Sequence, residues 1–496
     1  MLRLVSTDEV ANHNSPDDCW LVIDNQVWDV SSFAPDHPGG VEIILQYAGH
    51  DATAAYNEVH GPATIKTLPT TQLIGQLDPS SVNEMWKNKF SPQTQLQTQK
   101  PPLNAILSTH DFEDAARGSL SKKAWAFYSS AATDLIAHNS NQSFYRRIWM
   151  RPRLLRNVST MNTQTSVLGA SFGLPVVAAP VALARLAHPD GEKGIARACA
   201  QKMIGYCIPI TASFSGEEII ASVPSDHPFF FQLYVNKDRA SSEAILRRIW
   251  NLGIRTLFVT IDSPVPGKRE ADERVRAEQS IYMPMTGTKA SHDAKGGGIT
   301  RTTGSFIDDT LCWDNLAWLR MHWQGRLVLK GVQSVEDALM AVESKIDGIV
   351  LRSAPLPESL LVSTDRASNH GGRNLDTSPP ALLTLLELGR HCPHVLRETE
   401  VLVDGGIRRG TDILKAICLG ARAVLIGRPV MYALNYGQEG VQHLIDVLAS
   451  ELQVAMKLVG ITDLAQAHRG LLNTQDLDHL VVRELTEGGS VLRAKI

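Results

Sequence analysis

The sequence predicts an α/β fold, a (β/α)8 barrel preceded by a small α+β domain, and three observations carry that prediction. Eight short, largely β-branched apolar runs recur downstream of Pro102 with helix-compatible stretches between them. Such continuous runs suit strands of a parallel sheet whose outer face is covered, and eight of them suit a closed barrel. Polar residues cluster where the runs end, and barrel active sites lie at that carboxyl end. Upstream, a polar, Gln-rich stretch from Pro79 to Pro102 (PSSVNEMWKNKFSPQTQLQTQKPP) has no sustained apolar period and reads as a linker. The predicted organisation is therefore residues 1–78, a linker 79–102 and the barrel 103–496.

The composition fits a folded, soluble protein acting on small molecules. Of 496 residues, 43% are hydrophobic and 20% charged, with a net charge of −4, so nothing suggests a nucleic-acid footprint, and no segment resembles a transmembrane helix. Six scattered cysteines without a CxxC pair point to a reducing compartment. The start, MLRLVSTDEVANHNSPDDCW, has neither a secretory apolar core nor a basic presequence, so the expected location is the cytoplasm or the mitochondrial intermembrane space.

In the upstream segment, Cys19 to Ile23 and Val27 to Val30 read as strand, turn and strand. Asp36-His37-Pro38-Gly39-Gly40 follows, and 23 residues after His37 comes Val59-His60-Gly61. Two imidazoles on separate corners suit the two faces of a haem iron. Taken bare, the HPGG tetrapeptide is only a turn. With its surroundings, residues 1–78 resemble the cytochrome b5 domain, and that resemblance implies His37 and His60 as axial ligands of haem b. His13, His50 and His138 read as surface or structural.

In the barrel segment the strands are expected at Val176–Pro180, Tyr206–Thr211, Phe229–Tyr234, Thr256–Asp262, Arg326–Lys330, Asp347–Leu351, Glu400–Gly406 and Ala423–Arg428, with helices such as Ser334–Glu343 and Thr411–Leu419. Asp404-Gly405-Gly406-Ile407-Arg408-Arg409-Gly410 after the seventh strand and Gly427-Arg428 after the eighth suggest a phosphate site, since glycines admit an anion to backbone N–H groups and guanidinium binds its oxygens. Ser368-Asn369-His370-Gly371-Gly372-Arg373 sets an imidazole three residues from a guanidinium. That pairing suits a substrate carboxylate gripped by Arg373 while His370 takes a proton, with Asp262 as the imidazole's partner.

The runs QLYVNKDR, TIDSPVPGKREAD, LVLKGV, SNHGGRNLD and DGGIRRGTDILKA resemble the FMN-dependent 2-hydroxy acid dehydrogenase and oxidase family, from about Leu103 to the C-terminus. The resemblance implies His370 as base, Asp262 as its partner, and Arg373 with Tyr234 on the substrate. It also implies Lys330 at the flavin N1/O2 edge, Arg269 as a second, mobile arginine, Gln232 and Thr260 at the isoalloxazine, Asp404 at the ribityl chain, and Gly405, Gly406, Arg408, Gly427 and Arg428 around the phosphate. Joined to the haem domain, it implies oxidation of a small L-2-hydroxy acid, L-lactate first, through FMN and haem b to cytochrome c, in a homo-tetramer. The alternatives are an oxidase producing H2O2 and a catalytically impaired flavin- and haem-binding homologue.

The departures are specific. Phe127 stands where the family has a substrate-binding tyrosine, Val181 where a threonine follows the proline, and Pro209-Ile210 where a serine meets flavin. Relatives run from the sixth strand directly into SNHGG, whereas Arg352 to Ala367 intervene here. Such a segment is either an unremoved in-frame intron or a genuine insertion that loops out and restores the motif's position; it is expected to be foreign to the catalytic design and to endanger the placement of His370, because a shift of about 1 Å can cost 10²-fold in rate.

Overall fold

The computed structural model describes residues 3–37, 41–45, 47–53, 55–56, 65, 68–83, 86, 100–224, 226–275, 281–290, 298–351 and 370–481. The chain divides into two compact units, residues 1–100 with 274–276, and the remainder. Of the Pro79–Pro102 segment, most lies outside the described residues, as do His60 and Arg352 to Ala367.

The small unit is built on a sheet in which strand Asp18–Ile23 pairs antiparallel with Gln26–Asp29, which in turn pairs with Leu73–Leu77. Asp24 and Asn25, at φ 50° and 63°, form the hairpin turn, and two consecutive left-handed residues match the twist of the strands they join. One apolar cluster on this sheet contains Leu21, Trp28, Ala34, Ile44 and Ala52.

In the large unit all eight expected strands form: β1 Val176–Ala178, β2 Gly205–Pro209, β3 Phe229–Leu233, β4 Thr256–Thr260, β5 Arg326–Val332, β6 Gly348–Leu351, β7 Glu400–Asp404 and β8 Ala423–Ile426. They pair in parallel in that order and close, β1 lying beside β8. Their alternate residues divide between two apolar clusters. Val177, Cys207, Phe230, Phe258, Val328, Val350, Leu402 and Leu425 fill the barrel interior, where the Phe230 and Phe258 rings stack at 5.4 Å. Phe229, Phe231, Leu257, Leu327, Val401 and Val424 pack outward under the helices.

The pleat then dictates the functional layer. Residues i and i+2 of a strand share a face, so two positions beyond the inward Phe230, Phe258, Val328 and Leu402 stand Gln232, Thr260, Lys330 and Asp404. Four polar side chains thus cap the apolar interior at its carboxyl end, all nearly buried. Gly331, at φ 116°, interrupts the β5–β6 register; a Cβ there would fall 2.3 Å from that of Asp262, so only glycine lets the strand pass the carboxylate's base.

Helix Ile136–Arg146, which flanks the carboxyl end, lacks a side-chain cap of its own, its N-cap Leu135 sitting at φ 64°. Asp376 supplies the cap from 240 residues away, accepting from Ile136 N, Ala137 N, Asp134 N and the Thr133 hydroxyl at 2.8–3.3 Å. Burial alone would raise this carboxyl's pKa, but those bonds outweigh it and hold it below the ordinary 3.8. A group depressed in the folded state stabilises fully above its unfolded value and loses that contribution as pH falls through its folded one. Asp376→Ala should therefore lower stability by about 1–3 kcal/mol at pH 7. Urea titrations should show the gap narrowing below pH 3.8.

Candidate active site

A cleft opens over the polar layer, lined among others by Phe127, Tyr234, Arg269, His370, Arg373, Arg408 and Arg428. His370 sits at its centre. His370, Gly371 and Gly372 adopt φ of 47°, 71° and 82° in succession, a left-handed turn that costs a non-glycine residue about 1–3 kcal/mol. At Gly372 a Cβ would lie 2.6 Å from the His138 backbone, which requires glycine. The turn aims the His370 ring between two partners: Nδ1 is 3.1 Å from Asp262 Oδ1 and Nε2 is 3.3 Å from the Tyr234 hydroxyl. With the buried carboxylate on Nδ1–H, the tautomer leaves the Nε2 lone pair toward Tyr234 and the cleft. Asp262 and Tyr234 thus both lie within reach of His370, although Arg352 to Ala367 precede it in the sequence.

Arg373 donates through Nη1 to the carbonyls of Tyr128 and Ser130 and through Nη2 to that of Phe127, at 2.7–2.8 Å. These bonds close the end of helix Lys122–Ser129 and occupy three of five N–H groups. The Nε–H and one Nη2–H are left over as donors for a carboxylate. Burial and the neighbouring Arg269 and Arg428 push the guanidinium's pKa well below its ordinary value; the charge of an incoming carboxylate offsets that push. Phe127 lines the same end and offers no hydroxyl. Arg269 donates to the Arg373 carbonyl and to Thr300 Oγ1, both at 2.9 Å.

In the polar layer Gln232 Nε2 donates to Thr260 Oγ1 at 2.9 Å, and Lys330 Nζ stands 3.5 Å from Asp404 Oδ2 with both side chains at most 5% exposed. The far end of the cleft is cationic. Arg408 pairs with Glu113 at 2.9 Å, and Arg428 donates to Gly371 O and to His138 Nδ1. Burial, with the fields of Arg428, Arg408 and Arg373, drives the His138 pKa down to about 3, so the ring is a neutral acceptor. Four guanidiniums lining one cleft, those of Arg269, Arg373, Arg408 and Arg428, leave a positive potential there, which suits a flavin phosphate and a substrate carboxylate.

The glycines after β7 line the cleft and also admit a neighbouring helix. Gly405 and Gly406 have φ of 104° and 82°, and a Cβ on Gly406 would fall 1.9 Å from Asn141 O. The Arg408 and Arg409 N–H groups both go to Asp412 Oδ2 at 3.0 Å. Gly406 therefore lets helix Ile136–Arg146 pack against the strand end, while the Arg408 and Arg428 side chains line the cleft. His138, on that helix, was not distinguished in the sequence from other isolated histidines; nothing in its neighbours signals the contact with Arg428.

In the small unit, His37 follows the 3-10 turn Ala34–Asp36, and its ring meets Phe33 edge-on with centroids 5.8 Å apart. Phe33 packs on the apolar cluster, so this imidazole stands at the margin of an apolar region, the setting a haem face requires. His13, by contrast, stacks on Trp20 at 3.6 Å and pairs with Asp18, a structural role. Among the described residues no helix is long and apolar enough to cross a membrane.

Comparison with known proteins agrees with this geometry. Residues 6–78 match the family model of the cytochrome b5-like heme/steroid binding domain, and residues 116–474 that of FMN-dependent dehydrogenase. The chain is 37% identical to the L-lactate dehydrogenase (cytochrome) of Saccharomyces cerevisiae over 490 residues, 95% of this chain and 80% of that protein. It is also 37% identical to an L-lactate oxidase of Nostoc sp. over 383 residues, 75% of this chain and 99% of the oxidase. The flavin-binding domain of baker's yeast flavocytochrome b2 superposes with a TM-score of 0.67 at 36% identity, covering 79% of this chain and 93% of that domain. With a barrel that matches along most of its length and a cytochrome b5-like domain ahead of it, this chain belongs to the FMN-dependent dehydrogenase family.

Proposed function

We propose that this protein oxidises L-lactate to the 2-oxo acid and delivers the electrons through its haem domain to cytochrome c. The observation that carries this reading is His370, held between Asp262 and Tyr234 and facing a cleft that Arg373 also lines. When bound, FMN accepts two electrons from the substrate and haem b passes them on singly. The residues do the rest. Arg373 takes the carboxylate, with Arg269 beside it, and His370 Nε2 accepts the proton. Asp262 stabilises the resulting imidazolium, and the Tyr234 hydroxyl orients the substrate oxygen. Lys330 would supply a cation to the flavin N1/O2 edge, Gln232 and Thr260 would hold the ring system, Asp404 the ribityl chain, and Arg408 and Arg428 the phosphate, beside Gly405, Gly406 and Gly427. His37 and His60 would hold the haem iron.

The same reading divides the chain into a haem domain, 1–78, a linker, 79–102, and a catalytic barrel, 103–496, assembled as a homo-tetramer. The six cysteines, all free, suit the cytoplasm or the mitochondrial intermembrane space. The oxidase alternative is favoured by resemblances that cover about three quarters of the chain, that to the Nostoc protein among them; the haem domain argues for the dehydrogenase. The fragment 101–496 should reduce a small artificial acceptor with L-lactate as fast as the full chain, yet lose cytochrome c reduction. Equal cytochrome c rates with and without residues 1–100 would refute the assignment.

A further inference from the structure

Resting on that reading, a second layer of residues sets how the substrate end of the cleft is held. Lys123, on helix Lys122–Ser129, donates from Nζ to Asp272 Oδ1 and to the Asp272 carbonyl, both at 2.6 Å. The side chains are 6% and 0% exposed. Such a buried ion pair is weak evidence for stability, since its desolvation offsets its attraction and apolar replacements are often neutral. Its geometry points elsewhere. With Lys123 on Oδ1, Asp272 turns Oδ2 to the Thr300 N–H and hydroxyl at 3.3 and 3.2 Å. The Thr300 hydroxyl thereby gives its hydrogen to the carboxylate and presents a lone pair to Arg269 Nη1, 2.9 Å away. Arg269 Nε holds the Arg373 carbonyl, and the Arg373 guanidinium returns to the carbonyls of 127, 128 and 130, at the end of the helix that bears Lys123. The bonds form a closed ring through both arginines.

We propose that Lys123 and Asp272 are positioning residues: acting through Thr300, they fix the Arg269 guanidinium beside Arg373 and so set the affinity for the substrate carboxylate while leaving proton transfer at His370 unchanged. Neither lines the cleft, whereas Thr300 and Arg269 do. Burial pulls the Lys123 pKa down and Asp272 holds it up, so the ammonium depends on its partner as the arginine depends on the ring.

The test uses the full-length holoenzyme and two readouts, the KM and kcat for L-lactate and the Kd of pyruvate from perturbation of the flavin absorbance. Lys123→Met should raise both KM and Kd about 10-fold, as loss of a hydrogen bond to a charged group does, with kcat within about 3-fold and FMN still stoichiometric. Thr300→Val should do the same and Thr300→Ser should restore the wild-type values. The Lys123→Met/Thr300→Val double variant should be no worse than either single one, because residues acting in one chain are not additive. If Lys123→Met does not fold, Lys123→Met/Asp272→Asn removes the unpaired buried charge and takes its place. A fall in Tm with KM and Kd unchanged would overturn the proposal, reducing the pair to a structural contact. A wild type that binds pyruvate but does not oxidise L-lactate would overturn the functional reading, and the Kd comparison would still decide the clamp; one that binds no pyruvate overturns both.

Discussion

Replacing His370 by Gln is expected to lower kcat for L-lactate by about 10²–10⁴-fold while FMN stays bound at one per chain. Glutamine fills much of the same space but cannot take up a proton, and the cofactor contacts assigned to Gln232, Lys330, Arg408 and Arg428 are untouched. The position demands a base for a geometric reason. The left-handed backbone at residue 370 is strained for any side chain with a Cβ, and the turn delivers the ring between a buried carboxylate and a hydroxyl in the cleft. Asp262→Asn should act in the same direction, because an imidazolium without its carboxylate partner is destabilised. Stopped-flow bleaching of the flavin by L-lactate isolates this step from later electron transfer. Wild-type bleaching rates in His370→Gln would remove the histidine from the mechanism.

Replacing His37 by Ala is expected to abolish the low-spin b-type haem spectrum and to reduce cytochrome c reduction to background, with reduction of a small artificial acceptor unchanged. A six-coordinate haem needs both imidazoles, so His60→Ala should have the same effect. The two units are compact in themselves, so FMN content and flavin bleaching should not change in either variant. A low-spin haem that persists in His60→Ala would show that another group supplies the second ligand.

The barrel was legible in the sequence because parallel strands buried on both faces must be apolar nearly throughout, and eight such runs leave few alternatives. The polar layer was legible for a related reason: Gln232, Thr260, Lys330 and Asp404 break those runs at their ends, and a period of two brings all four to one face. Contacts between distant elements carry no such local signal. Nothing near His138 announces Arg428, nothing near Asp376 announces a helix start 240 positions upstream, and Lys123 looks like one more surface lysine of an amphipathic helix until Asp272 is placed against it. Gly406 was legible as a glycine that a close approach requires. The backbone of Asn141 is one group that approaches it, a contact that only the tertiary structure discloses. The segment from Arg352 to Ala367 was a visible departure from the family pattern; the threat it posed to His370 is not realised in the distances to Asp262 and Tyr234.

Electrons from L-lactate are expected to leave this protein through haem and not through oxygen. Adding L-lactate to the air-saturated full-length holoenzyme and following cytochrome c reduction and H2O2 formation in parallel distinguishes the two exits. Rapid cytochrome c reduction is expected, two equivalents for each pyruvate formed, with peroxide a minor product. Pyruvate formed with stoichiometric peroxide and little reduced cytochrome c would contradict it and identify the protein as an oxidase.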